Sequence, residues 1–568
     1  MKYNTFKKAR WFAALSATLV ATVITISSCN KSDNIFDLNI NTDPNNPTEG
    51  SAKLLLPQVE IDLAGLFQGL GDVQQGMCGI IANSDSYGFG GDSFYGSWAF
   101  FYNGPGKDLD EIIKSARAAN NYPYLGVAQA LKAYSFSYMV DLFGKMPFTE
   151  AFGGNAATPN INPKFDEGKD IYAACYKLLD SAIINLNTPS SISITGDIMY
   201  SGSKAAWIRF ANTVRLRMLM TTRKVNTNAS ADIQAALAAT GGVISSPSQD
   251  FTWKYGGSIS PDLRHPWFTS AYLASNNFTY FNTQFMFDMM LRKDPRLPFY
   301  FRRQYDQILD QNNPTDRGAT PAAGGYLVLN SAAWTKAINA GVLSNTKADS
   351  AYLAGFFGRV RGEQSGVPAD VDYRAVPGVY PAAGLYDDKS KTPYILRTKS
   401  NSGGAGILPL ITSNMVRFWK VEAELAYGFG SPRTDAEAAV RESISNVVNF
   451  GLSKDAANAK APTTAEIDAY VNKFLADYDA APTNEAKLNK VLYEAWFAGY
   501  GNGAEMYNAQ RRTGYPNNVL APLVLYTDFA LRLPIPRTEV TLNPNAPNPV
   551  PVFYSEPVFW DVLKFKYK

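Results

Sequence analysis

GKDIYAACYKLLDSAIINLN, residues 168–187, decides the fold class. Its apolar positions Ile171, Cys175, Leu178, Leu179, Ala182, Ile183 and Leu186 recur at steps of three and four. That spacing puts side chains on one face of an α-helix. Working outward, the rhythm returns at Trp207, Phe210, Ala211, Val214 and Met218. It returns again at Leu488, Val491, Leu492, Ala495, Trp496 and Gly499, and at Leu109, Ile112, Ile113 and Ala116. Residues 124–143 are apolar nearly all round, which predicts a buried helix. Thr434 with Glu437, and Thr463 with Glu466, fit capping boxes ahead of apolar patterns. The predicted helices pair as 108–119 with 122–143, 168–187 with 204–223, 413–429 with 434–449, and 464–479 with 485–508. The expected class is therefore mainly α, with helix hairpins stacked like tetratricopeptide repeats.

Two stretches break the rhythm. From about 241 to 411 the chain is rich in Gly, Pro, Asn and aromatics, with one helix-like stretch near 281–292. Residues 83–106 are the second irregular stretch. Long irregular segments inside a domain usually carry function. Beyond about 519 the prolines predict extended chain packed over the helical body.

The chain has 568 residues, 46% hydrophobic and 18% charged, against a usual charged share of about 25%. This excludes a charge-driven disordered chain. The formal charge of +3 provides no basic field for nucleic acid. Lys2, Lys7, Lys8 and Arg10 precede an apolar run from Trp11 to Ile26, then Ser27, Ser28 and Cys29. This is the pattern of a secretory signal peptide over residues 1–28, too short and too diluted by Ser and Thr for a membrane span. Removing it takes four positive charges from +3 and leaves the remainder near −1. Cys29 sits at the processing point like the lipidated cysteine of a bacterial lipobox, and acyl chains there would anchor the chain to a membrane. Residues 30–50, rich in Asn, Asp and Pro, read as a tether, and 51–568 as one domain. The other cysteines, Cys78 and Cys175, read as buried thiols.

Catalytic and cofactor motifs are missing. There is no G-x-x-x-x-G-K-[ST] loop, no G-x-S-x-G elbow and no C-x-x-C, so no cofactor is expected. One histidine in the whole chain removes multi-histidine metal sites, and no metal is expected. A Ser-His-Asp triad would have to use His265, before Pro266, which reads as a satisfied loop histidine. Glycoside hydrolysis needs only two carboxylates. Glu422 and Glu424, two apart on a predicted helix, face different directions, and Glu494 and Glu505 sit about three turns apart on one predicted helix. Neither pair is such a signature, and a lipid-anchored glycoside hydrolase stays open as the alternative.

Binding chemistry is better represented. Aromatic residues are 13% of the chain, and many lie in the irregular stretches. A flat ring offers its face to sugar C–H groups or a peptide side chain, and neighbouring Asp, Asn and Arg fix orientation. The first loop offers Asp85, Tyr87, Phe89, Asp92, Phe94, Tyr95 and Trp98. The second offers Trp253, Tyr255, Trp267, Tyr280, Tyr352, Phe356, Phe357, Arg359 and Arg361. Core filling is the competing role for all of them, above all for Trp98 before Phe100, Phe101 and Tyr102.

A series of segments resembles the SusD/RagB-type nutrient-binding outer-membrane lipoproteins of Bacteroidetes. They are Thr42-Asp43-Pro44-Asn45-Asn46-Pro47-Thr48, Trp98 through Tyr102-Asn103-Gly104 to Ile113, and Asp141 through Lys145-Met146-Pro147-Phe148-Thr149-Glu150-Ala151. Trp207 to Met218, Asp294-Pro295-Arg296-Leu297-Pro298, Arg511 to Pro516 and Arg532 to Val540 follow in order. The resemblance implies four tetratricopeptide-like helix pairs in a right-handed helical scaffold, with a loop-rich ligand-binding half. It implies a non-catalytic lipoprotein at the outer face of the outer membrane. Its expected partners are a SusC-type TonB-dependent transporter and an oligosaccharide, or a peptide as in RagB-like branches. Asn30-Lys31-Ser32-Asp33 carries one acidic residue, where surface-export signals of this group tend to carry more.

Overall fold

A computed structural model describes residues 52–82, 89–155, 159–272, 280–303, 356, 358, 359, 361, 374–388, 403–522 and 528–567. The signal segment, Cys29 and the tether lie outside these residues. In chain order the elements are α1 (Ala52–Met77), β1 (Ile81–Ala82), α2 (Tyr95–Asn103), α3 (Pro105–Ala118), α4 (Tyr122–Phe143), α5 (Gly168–Asn187), α6 (Lys204–Thr222) and α7 (Ala229–Leu237). The middle contributes β2 (Phe251–Lys254), α8 (Pro266–Tyr272), β3 (Tyr280–Phe281), α9 (Thr283–Leu291), α10 (Leu297–Tyr300), β4 (Phe301–Arg302), β5 (Val376–Pro377) and β6 (Ile407–Ile411). The last are α11 (Ser413–Tyr427), α12 (Pro432–Lys454), α13 (Thr464–Asp479), α14 (Asn484–Ala498), α15 (Ala504–Thr513) and α16 (Arg537–Leu542).

The fold is mainly α, as the rhythm predicts. Helix α3 packs on α4, α5 lies between α4 and α6, α11 packs on α12, and α13 on α14. Helix α4 is buried from Pro123 to Phe143, because its apolar side chains run round the whole helix. Thr463 and Glu466 form the expected reciprocal capping box at α13. The sheets among the described residues are two-stranded and antiparallel, pairing β1 with β3, β2 with β6, and β4 with β5. The β2–β6 ladder sets Phe251 opposite Ile411 and closes the central irregular region onto the helices.

Several boundaries differ from the predicted ones, each for a local reason. The stretch 83–106 is not irregular throughout, since α2 forms inside it. Trp98 and Phe101, three residues apart on that helix, both enter the core. Helix α12 starts at Pro432, with Ser431 before it and no side-chain cap, so Thr434 is not a cap. Proline is well placed in a first turn because its missing N–H has no intrahelical partner there. The predicted helix 485–508 is two helices. Gly501 adopts φ +96 and its N–H donates to Gln75 Oε1 at 2.9 Å, which stops α14 and starts α15. Gly503 lies so close to the α1 backbone that a Cβ there would meet Gln75 N at 2.2 Å. Among the described residues beyond 519 the chain forms turns, bends and irregular backbone with no strand, and Arg537–Leu542, which holds no proline, closes one short helix.

Buried ion clusters join the helices. Asp141 of α4 pairs with Arg217 at 3.0 Å and accepts hydrogen bonds from Tyr172, from Asn508 at 3.0 Å and from Trp560 Nε1 at 3.0 Å. Arg217 Nε also donates to Glu505 at 2.6 Å. A second pair of acids fastens α1. Ile198 N donates to Glu60 Oε2 at 2.7 Å, and burial with the adjacent Asp197 carboxylate pushes the Glu60 carboxyl up to about 9.

Candidate functional site

Among the described residues, sequence-predicted residues line a cleft of about 440 Å³ on α2. Helix α2 turns Tyr95, Ala99 and Tyr102 to it, at i, i+4 and i+7 on one face, with Trp98 beneath and Asn103 at the end. Lys107 of α3 enters from the next helix. The opposite wall is lined by Pro147, Ala151, Phe152, Gly154, Ile161 and Pro163, and Glu539 of α16 completes the lining. Two other hollows have similar volumes. One, about 550 Å³, lies among α5, α6 and α7, and the other, about 540 Å³, at the α13–α14 turn. Neither is lined by a sequence-predicted binding residue.

The cleft is a hydrogen-bonded frame with a few exposed groups. Asp166 fixes the turn by accepting from Phe148 N at 3.0 Å and from Thr149 N at 2.7 Å. Glu150 accepts from Asn160 Nδ2 at 3.1 Å and from Lys164 N at 3.0 Å. Tyr102 Oη donates to Pro147 O at 2.7 Å, so that ring is pinned across the cleft. Burial, then the nearby Glu539 and Asp166 carboxylates, push the Tyr102 phenol well above its usual range. Trp98 stacks on Phe165 with centroids 6.1 Å apart and planes 19° apart. Tyr95 is 45% exposed and Ile161 is 79% exposed, so the rim is apolar and open. The chemistry on offer is a ring face at the mouth, a donor from Lys107, donor and acceptor from Asn103, and an acceptor from Glu539.

The structure sorts the predicted binding residues. Asp85, Tyr87, Tyr352 and Phe357 lie outside the described residues. Tyr95 and Trp98 meet in the cleft, although Trp98 forms its buried floor. Asp92 accepts hydrogen bonds from Thr538 instead of facing the hollow. Phe94 is buried and Phe89 partly buried behind the cleft, in ring contact at 5.0 Å. The second cluster is placed inside the protein. Trp253 is partly buried on β2 opposite Leu408, and Tyr255 Oη donates to Gln68 at 3.2 Å. Trp267 Nε1 donates to Asp72 at 3.0 Å. Tyr280 is buried under the Arg359 and Arg374 guanidiniums at 4.1 and 5.0 Å. Phe356 is buried beneath Arg303. Arg361 donates to Met77 O at 2.7 Å and Leu520 O at 2.8 Å. These rings and guanidiniums bind the irregular region to the helices. Tyr102, Asn103, Lys107, Phe152 and Glu539 were not among the predicted residues. The helical spacing of Tyr95, Ala99 and Tyr102 was the available signal for the first of them.

Of the groups considered for catalysis, His265, Glu422, Glu494 and Glu505 are committed elsewhere, while Glu424, beside Lys420 at 3.5 Å, is pushed up to about 7 by burial and the Asp435 carboxylate. Burial pushes His265 down to about 3, and its Nδ1 accepts from Trp267 N at 3.0 Å. Burial raises the Glu422 carboxyl, but Arg512 and Arg223 outweigh it and hold the group at about 2. Glu494 is buried against Arg292, Arg296 and Tyr470, and Glu505 is paired with Arg217. Among the described residues no group of three His, Cys, Asp or Glu is placed to hold a metal ion, and no helix is long and apolar enough to cross a membrane.

Comparison with known proteins gives a consistent picture. Residues 45–335 match the family described as "Starch-binding associating with outer membrane", and residues 403–527 match "Susd and RagB outer membrane lipoprotein". No curated protein matches. Among solved structures, a chitin-binding protein superposes with TM-score 0.64 at 19% identity, over 90% of this chain and 100% of the other. A SusD/RagB family protein from Bacteroides thetaiotaomicron gives 0.63 at 18% identity, over 90% and 99%. A chitin-binding SusD homolog from Flavobacterium johnsoniae gives 0.61 at 19%, over 89% and 99%. At these identities the superpositions establish a shared fold.

Proposed function

Since this chain belongs to the SusD-like family of outer-membrane lipoproteins, we propose that it captures an oligosaccharide in the α2 cleft and passes it to a SusC-type TonB-dependent transporter. The observation that carries the assignment to this cleft is the half-exposed Tyr95 above a fixed floor of Trp98 and Tyr102. A ring held at an open rim stacks on the apolar face of a sugar at little entropic cost. Tyr95 and Tyr102 start about 10 Å apart along the helix, from seven residues at 1.5 Å rise. That span suits a short run of sugar units better than a single one. Asn103, Lys107 and Glu539 are placed to orient hydroxyl or acetamido groups. The chitin-binding character of two proteins that share the fold favours a glycan of that kind. Commitment of Glu422, Glu494 and Glu505 to arginines favours capture over hydrolysis. In this reading acylation of Cys29 supplies the attachment to the outer membrane, and residues 30–50 are the tether between that attachment and the domain.

Calorimetry of the full-length protein with chito-oligosaccharides, malto-oligosaccharides and short peptides tests this. Saccharide binding that Tyr95→Ala weakens about tenfold, with an unchanged melting temperature, is expected. Peptide binding alone would move the ligand class to the RagB-like alternative. Saccharide binding that ignores Tyr95→Ala would remove the site from this cleft.

A further inference from the structure

Helix α16 is held in an unusual way. None of its residues is buried, so no core burial fixes it. Its N-cap is Pro536, which has no side-chain acceptor for the unpaired N–H groups of the first turn. Those groups are satisfied from the start of the chain instead. Arg537 N donates to Gly91 O at 2.9 Å, and Thr538 N donates to Asp92 Oδ1 at 2.9 Å. Thr538 Oγ1 donates to the same oxygen at 3.1 Å. Gly91 permits the approach, since a Cβ there would meet Arg537 Cβ at 3.2 Å. The far end is tied to the opposite cleft wall. Asn543 Nδ2 donates to Pro163 O at 2.9 Å, and Asn545 Nδ2 to Asn162 O at 2.7 Å. Between these ties the helix carries Glu539 into the cleft, with one oxygen accepting from Asn543 Nδ2 at 3.1 Å.

We propose that Asp92 is a positioning residue for the cleft: it caps α16 from across the chain and thereby holds Glu539 where it accepts a hydrogen bond from the bound saccharide. This rests on the α2 cleft being the saccharide site. A helix without buried side chains takes its position from its terminal hydrogen bonds, so removing the cap loosens its first turn and shifts Glu539. The ties to Gly91, Pro163 and Asn162 keep the helix on the wall, and the core is left undisturbed. Asparagine accepts at an N-cap about as well as aspartate. The conservative variant should therefore restore the geometry.

The test uses full-length protein, with chitohexaose and maltohexaose as probes. Asp92→Ala and Glu539→Ala should each weaken binding about fivefold, the loss of roughly one hydrogen bond. Their combination should weaken it no further, because both act through one contact. Asp92→Asn should bind as wild type. Hydrogen exchange of residues 537–543 should quicken in Asp92→Ala while the melting temperature stays put. If Asp92→Ala folds poorly, Thr538→Val, which removes only the hydroxyl bond, should give a smaller change in the same direction. If Tyr95→Ala loses binding while Asp92→Ala keeps it, or if the two losses add in the double variant, the positioning role is wrong and the cleft assignment stands. If Tyr95→Ala binds as wild type, or wild type binds neither probe, the cleft assignment falls and this inference falls with it.

Discussion

Tyr95 at the mouth of the cleft is 45% exposed, whereas Trp267, in the second aromatic cluster, is 4% exposed. Both lie in stretches rich in aromatic and polar residues, and both neighbourhoods contain a carboxylate and rings. What separates them is how completely their polar atoms are used within the protein. Around Trp267, the indole N–H donates to Asp72, the backbone N–H donates to His265, and Tyr500 and Phe281 pack at 5.4 and 6.2 Å. Around Tyr95 the frame is equally well bonded, but the ring itself stays at the rim. A ring is available to a ligand where the scaffold is satisfied without it.

The comparison predicts its largest effect at Trp267. Trp267→Ala leaves a cavity in packed surroundings and removes one of the hydrogen bonds to Asp72, leaving those from Gln68 and Gln75, and should cost about 3–5 kcal/mol in urea denaturation. Such a variant reports folding rather than ligand contact. Stability within about 0.5 kcal/mol of wild type would show that the second cluster is not core, and would reopen it as a binding surface.

The next effect is one of pH. Burial raises the Asp72 carboxyl to about 7, opposed by hydrogen bonds from Trp267 and Gln68. The folded value lies above the unfolded one, so this contribution is complete below about 4 and is lost as pH rises through about 7. The slope approaches about 1.4 kcal/mol per pH unit within that window. Asp72→Asn should flatten the wild-type decline between pH 5 and 7. It should also be the more stable protein at pH 8. Parallel curves for the two proteins would show that Asp72 is ionised in the fold and that the cluster is more hydrated than its packing implies.

How far the sequence carries this picture depends on the kind of interaction. Two helices with a one-sided apolar rhythm are legible to the residue: α5 spans Gly168–Asn187 and α13 begins after Thr463, as spacing and capping predict, while α3, predicted over 108–119, starts three residues earlier at Pro105. The break at Gly499–Gly503 is not legible, because its cause is the α1 backbone passing against Gly503, more than 400 residues away in sequence. Helix α2 was hidden for a related reason. Its aromatic run has no strong helix propensity, and burial of Trp98 and Phe101 supplies the stabilisation. The site was legible in part. The sequence marks Tyr95 and Trp98, and marks Asp92 as a ligand contact, but the partner of Asp92 is Thr538, a residue no local pattern connects to it. Rings and carboxylates can be found by composition, while the question of which are already satisfied is answered only by contacts between distant segments.

The smallest expected effect on stability is at Tyr95 itself, and it sharpens the comparison most. Its backbone N–H donates to Asp92 O at 3.1 Å, a bond that alanine keeps. Its side chain has little to lose, being nearly half exposed at the start of a nine-residue helix. Alanine also has the better helix propensity. Tyr95→Ala should therefore change unfolding free energy by no more than about 0.5 kcal/mol, while Trp98→Ala, one helical turn away and 3% exposed, should cost about 3–5 kcal/mol. Equal losses at the two positions would mean that the rim ring is packed in solution and that the cleft is closed. A loss at Trp98 alone would leave Tyr95 as a residue whose exposure the fold does not require, which is the condition for assigning it to a ligand.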